Sequence, residues 1–65
     1  MEIKSGQRHT FDSKQFGKVT IENVADRQLN IKWQNGRIKN DGWLNLQTGQ
    51  MSNVPQALIV EISNQ

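Results

Sequence analysis

The chain has 65 residues, with eight Lys or Arg against six Asp or Glu, which gives a net charge of +2 at pH 7. This length makes one domain, residues 1–65, with a small core, and the absence of cysteine excludes a disulfide framework and a thiolate metal site. The first residues lack the apolar run of a signal peptide, and no segment approaches the roughly 20 apolar residues that cross a bilayer. We therefore expect a cytoplasmic protein without membrane association, and the positive excess favours acidic partners.

The first third of the chain contains short alternating segments that are typical of strands. Ile3 and the segment 7–11 indicate one strand or two, and residues 12–15 form a polar connection. The segment 18–22 predicts a further strand whose Val19 and Ile21 point inward, with Val24 as a candidate for its buried end. Residues 23–27 otherwise indicate a loop.

The centre of the chain, residues 28–43, predicts a hairpin. Apolar and polar residues alternate here on both sides of an Asn-Gly pair at 35–36, and Asn-Gly favours a two-residue type I′ turn because both residues tolerate positive φ. With that loop, Lys32 faces Lys39 on the neighbouring strand. Like charges in facing positions destabilise a sheet, so a functional reason is expected.

The same register sorts the hairpin into two faces. The apolar face, which we predict to be core, carries Leu29, Ile31, Trp33 and Ile38. The opposite face contains no carboxylate and carries Asn30, Lys32, Gln34, Arg37 and Lys39.

A second interruption, at residues 40–42, has two interpretations with the same side-chain parity. A three-residue loop with Gly42 in a G1 bulge pairs Lys39 with Trp43. A kinked, continuous strand over 37–47 is the alternative. In both cases Leu44 and Leu46 turn inward, and Trp43 lies on the lysine-bearing face.

The last apolar run, residues 57–62, is predicted to be a strand because three of its residues are β-branched and the run is short. Pro55 in the preceding linker cannot donate to a ladder. Five or six short strands and no helix predict an all-β domain, either a small antiparallel barrel or a bent meander. An SH3-like barrel is the first choice and a partly open OB-like barrel the second.

The sequence offers no constellation for catalysis. It has one histidine, His9, and its carboxylates and glycines are scattered without the spacing of an acid–base pair or a phosphate loop. We expect no enzyme activity, no metal site and no small-molecule cofactor.

The predicted function is a non-catalytic binding module for single-stranded RNA or DNA. Lys32, Arg37 and Lys39 would contact phosphates and Trp43 would stack on a base. In a purely structural alternative, the lysines protect a sheet edge, and Trp43 is covered by the N-terminal segment near Phe11 or by the linker at 54–55. A further alternative is a protein-interaction module or a self-assembling homo-oligomer that uses segment 57–62 for strand addition.

Overall fold

A computed structural model describes residues 3–25 and 27–65, which form five strands and one helix. Each strand pairs antiparallel with its neighbour in the chain, so the sheet is an open meander in the order β1-β2-β3-β4-β5. The prediction of an all-β domain, a barrel or a bent meander, is confirmed for five antiparallel strands in one sheet. The domain is mostly β and not all-β, and barrel closure is not seen in the described residues. The elements are β1 (Arg8–Ser13), β2 (Gly17–Ala25), β3 (Gln28–Asn35), β4 (Ile38–Asn45), β5 (Met51–Ser52) and α1 (Gln56–Ser63).

The core lies between α1 and one face of the sheet, which we call the inner face. Strand alternation places every second side chain of β2 and β3 on this face. The predictions that Val19, Ile21 and Trp33 are core residues are confirmed, and the Trp33 ring meets Phe16 edge-on with 6.4 Å between the ring centroids. The buried apolar residues are Val19, Ile21, Leu29, Ile31, Trp33, Leu44, Leu58 and Ile62.

The predicted strand over residues 57–62 is wrong, because this segment is the helix α1. Its β-branched residues favour a strand locally, but Leu58 and Ile62 are four residues apart and share one helical face, which is buried. An open sheet leaves an apolar face that needs a second layer, and α1 supplies it. Val60 lies on the other side of the helix and is 51% exposed.

Among the residues that the structure describes, no helix has the length and apolar character needed to cross a membrane.

The predicted loop of the central hairpin is displaced by one residue. Asn35 pairs with Ile38, so the loop is Gly36-Arg37. Gly36 has a φ of 65° and Arg37 does not have a positive φ, a pattern typical of a type II′ turn with glycine first. This shift moves every pair in the hairpin by two residues, which keeps the paired side chains on their predicted faces and moves Arg37 from the strand into the turn.

The expected pairing of Lys32 with Lys39 is therefore wrong. Lys32 faces Asp41, and Lys39 faces Gln34, so opposite charges replace the like-charge contact in the register. The strand also continues through residues 40–42 without a loop, which confirms the continuous-strand alternative for this segment.

Three residues expected to point inward are exposed because of where the strands end. Ile38 begins β4 at the far end of the sheet and is 67% exposed, and Leu46 follows the last residue of β4 and is 55% exposed. Val24 is also exposed, and Asn23 takes the buried position near the end of β2. Leu44 is buried as predicted.

Gly42 allows the chain after β5 to cross close to β4. A Cβ at this position would lie 2.6 Å from the Ser52 carbonyl oxygen and 2.8 Å from both the Asn53 carbonyl oxygen and Val54 Cγ2. Two of these atoms belong to the backbone, so the clash cannot be relieved by rotating a side chain. Close passage lets Val54 pack against the core.

Ser13 ties the helix to the first strand. Its buried hydroxyl lies 2.8 Å from both carboxylate oxygens of Glu61 on α1, and one proton can be donated to either. The same oxygen accepts hydrogen bonds from the backbone N–H groups of Gln15 and Phe16, at 3.2 and 3.0 Å. One side chain therefore orders the β1–β2 turn and holds α1 on the sheet.

We expect Gly42→Ala to lower the free energy of unfolding by about 1–3 kcal/mol, because the added methyl group forces backbone away from β4. Urea denaturation monitored by circular dichroism measures this loss. Asn40→Ala is the matched control, since Asn40 lies on the same strand and face but is exposed. Equal stability of the two variants would contradict this account of Gly42.

We expect Ser13→Ala to cost about 1–3 kcal/mol of stability, because it leaves the half-buried Glu61 carboxylate and two turn N–H groups without their partner. Chemical denaturation again provides the measurement, with Ser52→Ala on the exposed strand β5 as the control. If Ser13→Ala unfolds at the wild-type midpoint, the hydroxyl does not hold α1 in place.

Candidate functional site

The face of the sheet opposite α1, which we call the outer face, is almost entirely polar. This polar character follows from the alternation of apolar and polar residues along the strands, because successive side chains of a strand point to opposite sides of the sheet. No helix or loop of the described residues packs on it as α1 packs on the inner face. From β1 to β4 it carries Arg8, Thr10, Asp12, Lys18, Thr20, Glu22, Asn30, Lys32, Gln34, Lys39, Asp41 and Trp43.

Strand register arranges these side chains in rows that cross the sheet. The row nearest the β1–β2 and β3–β4 turns contains Asp12, Lys18, Gln34 and Lys39. The next row contains Thr10, Thr20, Lys32 and Asp41. The third contains Arg8, Glu22, Asn30, Trp43 and Ser52.

The structure places three of the four predicted site residues on the outer face. Lys32 lies diagonally between Lys39 and Trp43, and Trp43 is 37% exposed. Arg37 lies in the turn beyond the first row and is exposed. Phe11 and Val54 pack against the core on the inner face, on the side of the sheet opposite Trp43.

The outer face is not free of carboxylates, contrary to expectation. Asp41 lies on β4 between Lys39 and Trp43, and it directly faces Lys32. Trp43 is consequently four residues from Lys39 along the strand and is not paired with it, so the three-residue-loop interpretation is wrong. A ligand that contacts both must extend about 13 Å along β4 at strand spacing.

Sequence reasoning missed Lys18 as a site residue. Lys18 pairs with Gln34 and so lies two strands from Lys39 in the same row. Its outward direction was already implied by the inward direction of Val19, but its neighbours depend on the pairing of β2 with β3. The local sequence pattern of either strand does not predict that pairing.

Two shallow grooves connect these residues. One of about 460 Å³ is lined by Lys18, Thr20, Lys32, Trp33, Gln34, Lys39, Asn40 and Asp41. A second of about 200 Å³ lies beside Trp43 and shares Lys32 and Asp41 with the first. The two grooves are therefore neighbours on the outer face, with Lys32 and Asp41 between them.

The turn end of the sheet is more basic than the chain as a whole. The first two rows and the two adjacent turns hold two carboxylates, Asp12 and Asp41, and five cations. Their formal charge is therefore +3, whereas that of the whole chain is +2. Ammonium and guanidinium groups at such a surface bind phosphate oxygens. The five cations are Lys14, Lys18, Lys32, Arg37 and Lys39.

His9 lies on the inner side of β1, away from this surface. Its ring stacks on Phe11 with 6.0 Å between centroids, and its Nε2 lies 3.5 Å from Oε1 of Gln65. Within residues 3–25 and 27–65, no three His, Cys, Asp or Glu side chains come together in a way that could hold a metal ion. The chemistry that the outer face supports is reversible binding through charge, amide hydrogen bonds and one aromatic surface.

Comparisons with family models, with curated proteins and with solved structures find no match for this chain.

We expect the two indoles to differ in their access to a dissolved quencher, since Trp43 is 37% exposed and Trp33 is 7% exposed. In Trp43→Phe, acrylamide should quench the remaining fluorescence much less steeply than in the wild type. Trp33→Phe, checked for folding by circular dichroism, should keep the steep component. Strong quenching that persists in folded Trp43→Phe would mean that Trp43 is not the accessible indole.

Proposed function

We propose that this chain is a non-catalytic module that binds single-stranded nucleic acid on its outer face. Lys18, Lys32 and Lys39 contact phosphates, Arg37 extends the basic surface at the turn, and Trp43 stacks on a base. The observation that carries the proposal is the pair of adjacent grooves on one face, where Lys32 and Lys39 lie near a partly exposed indole.

Geometry supports a single strand as the ligand. Roughly 13 Å separates the row of Lys39 from the row of Trp43 along β4, which suits an extended chain carrying charge at one end and a base at the other. Aromatic stacking accepts every base, and lysines recognise the backbone without reading sequence. The amides of Asn30 and Gln34 lie in the same rows and offer hydrogen bonds to bases or sugars.

Asp41 shapes the proposed path. Its carboxylate faces Lys32 and lies between Lys39 and Trp43, so a phosphate directly above it is repelled. The favourable course for the backbone runs over Lys18 and Lys39 and reaches Trp43 past Lys32 with a base, not a phosphate, over Asp41.

The finer fold prediction, SH3-like with OB-like as the second choice, remains a prediction. The proposed interface does not depend on it. An open antiparallel sheet presents the same side chains on one face whether or not its ends meet.

We expect fluorescein-labelled oligothymidine and oligouridine to bind at low salt, with the logarithm of the affinity falling against the logarithm of salt concentration with a slope of about −2 for three phosphate contacts. Lys32→Ala or Lys39→Ala should make that slope shallower by about 0.7. Trp43→Leu should weaken binding at every salt concentration and leave the slope unchanged, because stacking releases no counterions.

Lys4→Ala is the matched control, since it removes the same charge from an exposed residue outside the sheet. The absence of any salt-dependent binding by the wild type would refute the proposal. So would an equal loss of affinity in Lys4→Ala and Lys32→Ala, because binding would then follow total charge and not this face.

A further inference from the structure

Strand β1 has an unpaired edge. It pairs with β2 on one side, and no strand among the described residues lies on its other side. The segment before it runs along the end of β2, where the Gly6 N–H donates to the Asn23 carbonyl at 2.7 Å, and does not cover that edge. Native edge strands are usually protected by charged side chains, proline or a bulge. Residues 8–13 contain no proline and pair with β2 without interruption, and their two charges, Arg8 and Asp12, are opposite in sign.

The hydrogen-bond phase of β1 determines which groups point to the open edge. The Asn23 N–H donates to the Gln7 carbonyl at 2.9 Å, so Gln7 points its carbonyl toward β2. Hydrogen-bonded and non-hydrogen-bonded pairs alternate along an antiparallel ladder. Odd-numbered residues of β1 therefore bond to β2, and the N–H and C=O groups of Arg8, Thr10 and Asp12 point outward.

We propose that a second copy of this chain pairs with this edge, antiparallel, with the two-fold axis at Thr10. In this register Arg8 faces Asp12 of the second copy, Thr10 faces its own counterpart, and Asp12 faces Arg8. Each of the three facing pairs is of the hydrogen-bonded type, so all six outward backbone groups of each strand find partners.

Charge complementarity on the outer face selects this register. Within one copy Arg8 faces Glu22, and Asp12 faces Lys18. The dimer extends this row so that charges alternate in sign across four strands, from Glu22 through Arg8 to Asp12 and Lys18 of the second copy. Facing opposite charges stabilise a sheet. The middle row becomes a line of threonines, since Thr10 already contacts Thr20 with 3.4 Å between the hydroxyl oxygens.

The inner face is complementary in the same register. His9 faces Phe11 of the second copy in a non-hydrogen-bonded pair, where facing side chains approach most closely. Both rings are half-buried in the single copy and stack on each other. Two such stacks meet across the axis and form one aromatic cluster.

The neighbouring registers are less favourable. Preserving the hydrogen-bond phase requires shifts of two residues. One shift places Arg8 opposite Thr10 and leaves Asp12 opposite Gly6, which has no side chain. The other places Arg8 opposite Lys14, a like-charge contact.

The first test uses cysteine at the axis, because the chain has none of its own. Facing positions of an antiparallel pair have a Cα separation of about 5.5 Å, which a disulfide spans. Under mild oxidation Thr10→Cys should form a covalent dimer rapidly at low protein concentration. Thr20→Cys, on the same face one strand further in, should not. Equal rates for the two variants would overturn the proposed edge contact.

The second test reverses charges and reads the dimer dissociation constant by analytical ultracentrifugation without nucleic acid. Arg8→Glu alone and Asp12→Arg alone should each weaken the dimer about tenfold, since each places like charges opposite one another at two symmetric positions. The double variant R8E/D12R should regain most of that affinity. Arg27→Glu, an exposed residue at the β2–β3 turn, is the control and should leave the dimer unchanged.

A wild-type chain that sediments as a monomer at millimolar concentration would overturn the proposal. So would a double variant that dimerises no better than either single variant, because the register would then not pair Arg8 with Asp12. Circular dichroism of every variant separates loss of the dimer from loss of the fold.

Discussion

The burial of one sheet face beneath a single short helix is the constraint on which the rest of this structure depends. Leu58 is fully buried and Ile62 nearly so, and burial of such side chains contributes about 1.5–3 kcal/mol each. A 65-residue chain has little surplus stability, so each contact that holds α1 in place is a large share of the total free energy of unfolding. Ser13 on β1 holds α1 through its hydrogen bond to Glu61. Gly42 allows the segment between β5 and α1 to pass close to β4.

Coverage of one face leaves the other face exposed to solvent. The outer face carries no structural layer in the described part of the chain, so core packing does not determine its side chains. This explains how Lys18, Lys32, Lys39 and Trp43 share a surface with little cost to the fold. Pairing through β1 would place two such surfaces side by side in one continuous sheet.

Sequence patterns predicted on which side of the sheet a residue lies better than they predicted which residue it faces on the adjacent strand. Alternation has a period of two, so the burial of Val19 and Trp33 followed from the local sequence, and a two-residue register error left the faces unchanged. The partner of Lys32 required the turn type at Gly36, which local preference for Asn-Gly did not settle. The helix was missed because Leu58 and Ile62 fit both a strand and a helix, and only the uncovered sheet face distinguishes the two.

The meander has a kinetic consequence. Every strand pair joins segments that are adjacent in the chain, so each hairpin closes a short loop at a small entropic cost. The contact of Ser13 with Glu61, by contrast, spans 48 residues. Local pairing favours fast folding, so the entropic cost of bringing distant residues together is concentrated in the contacts between α1 and the sheet.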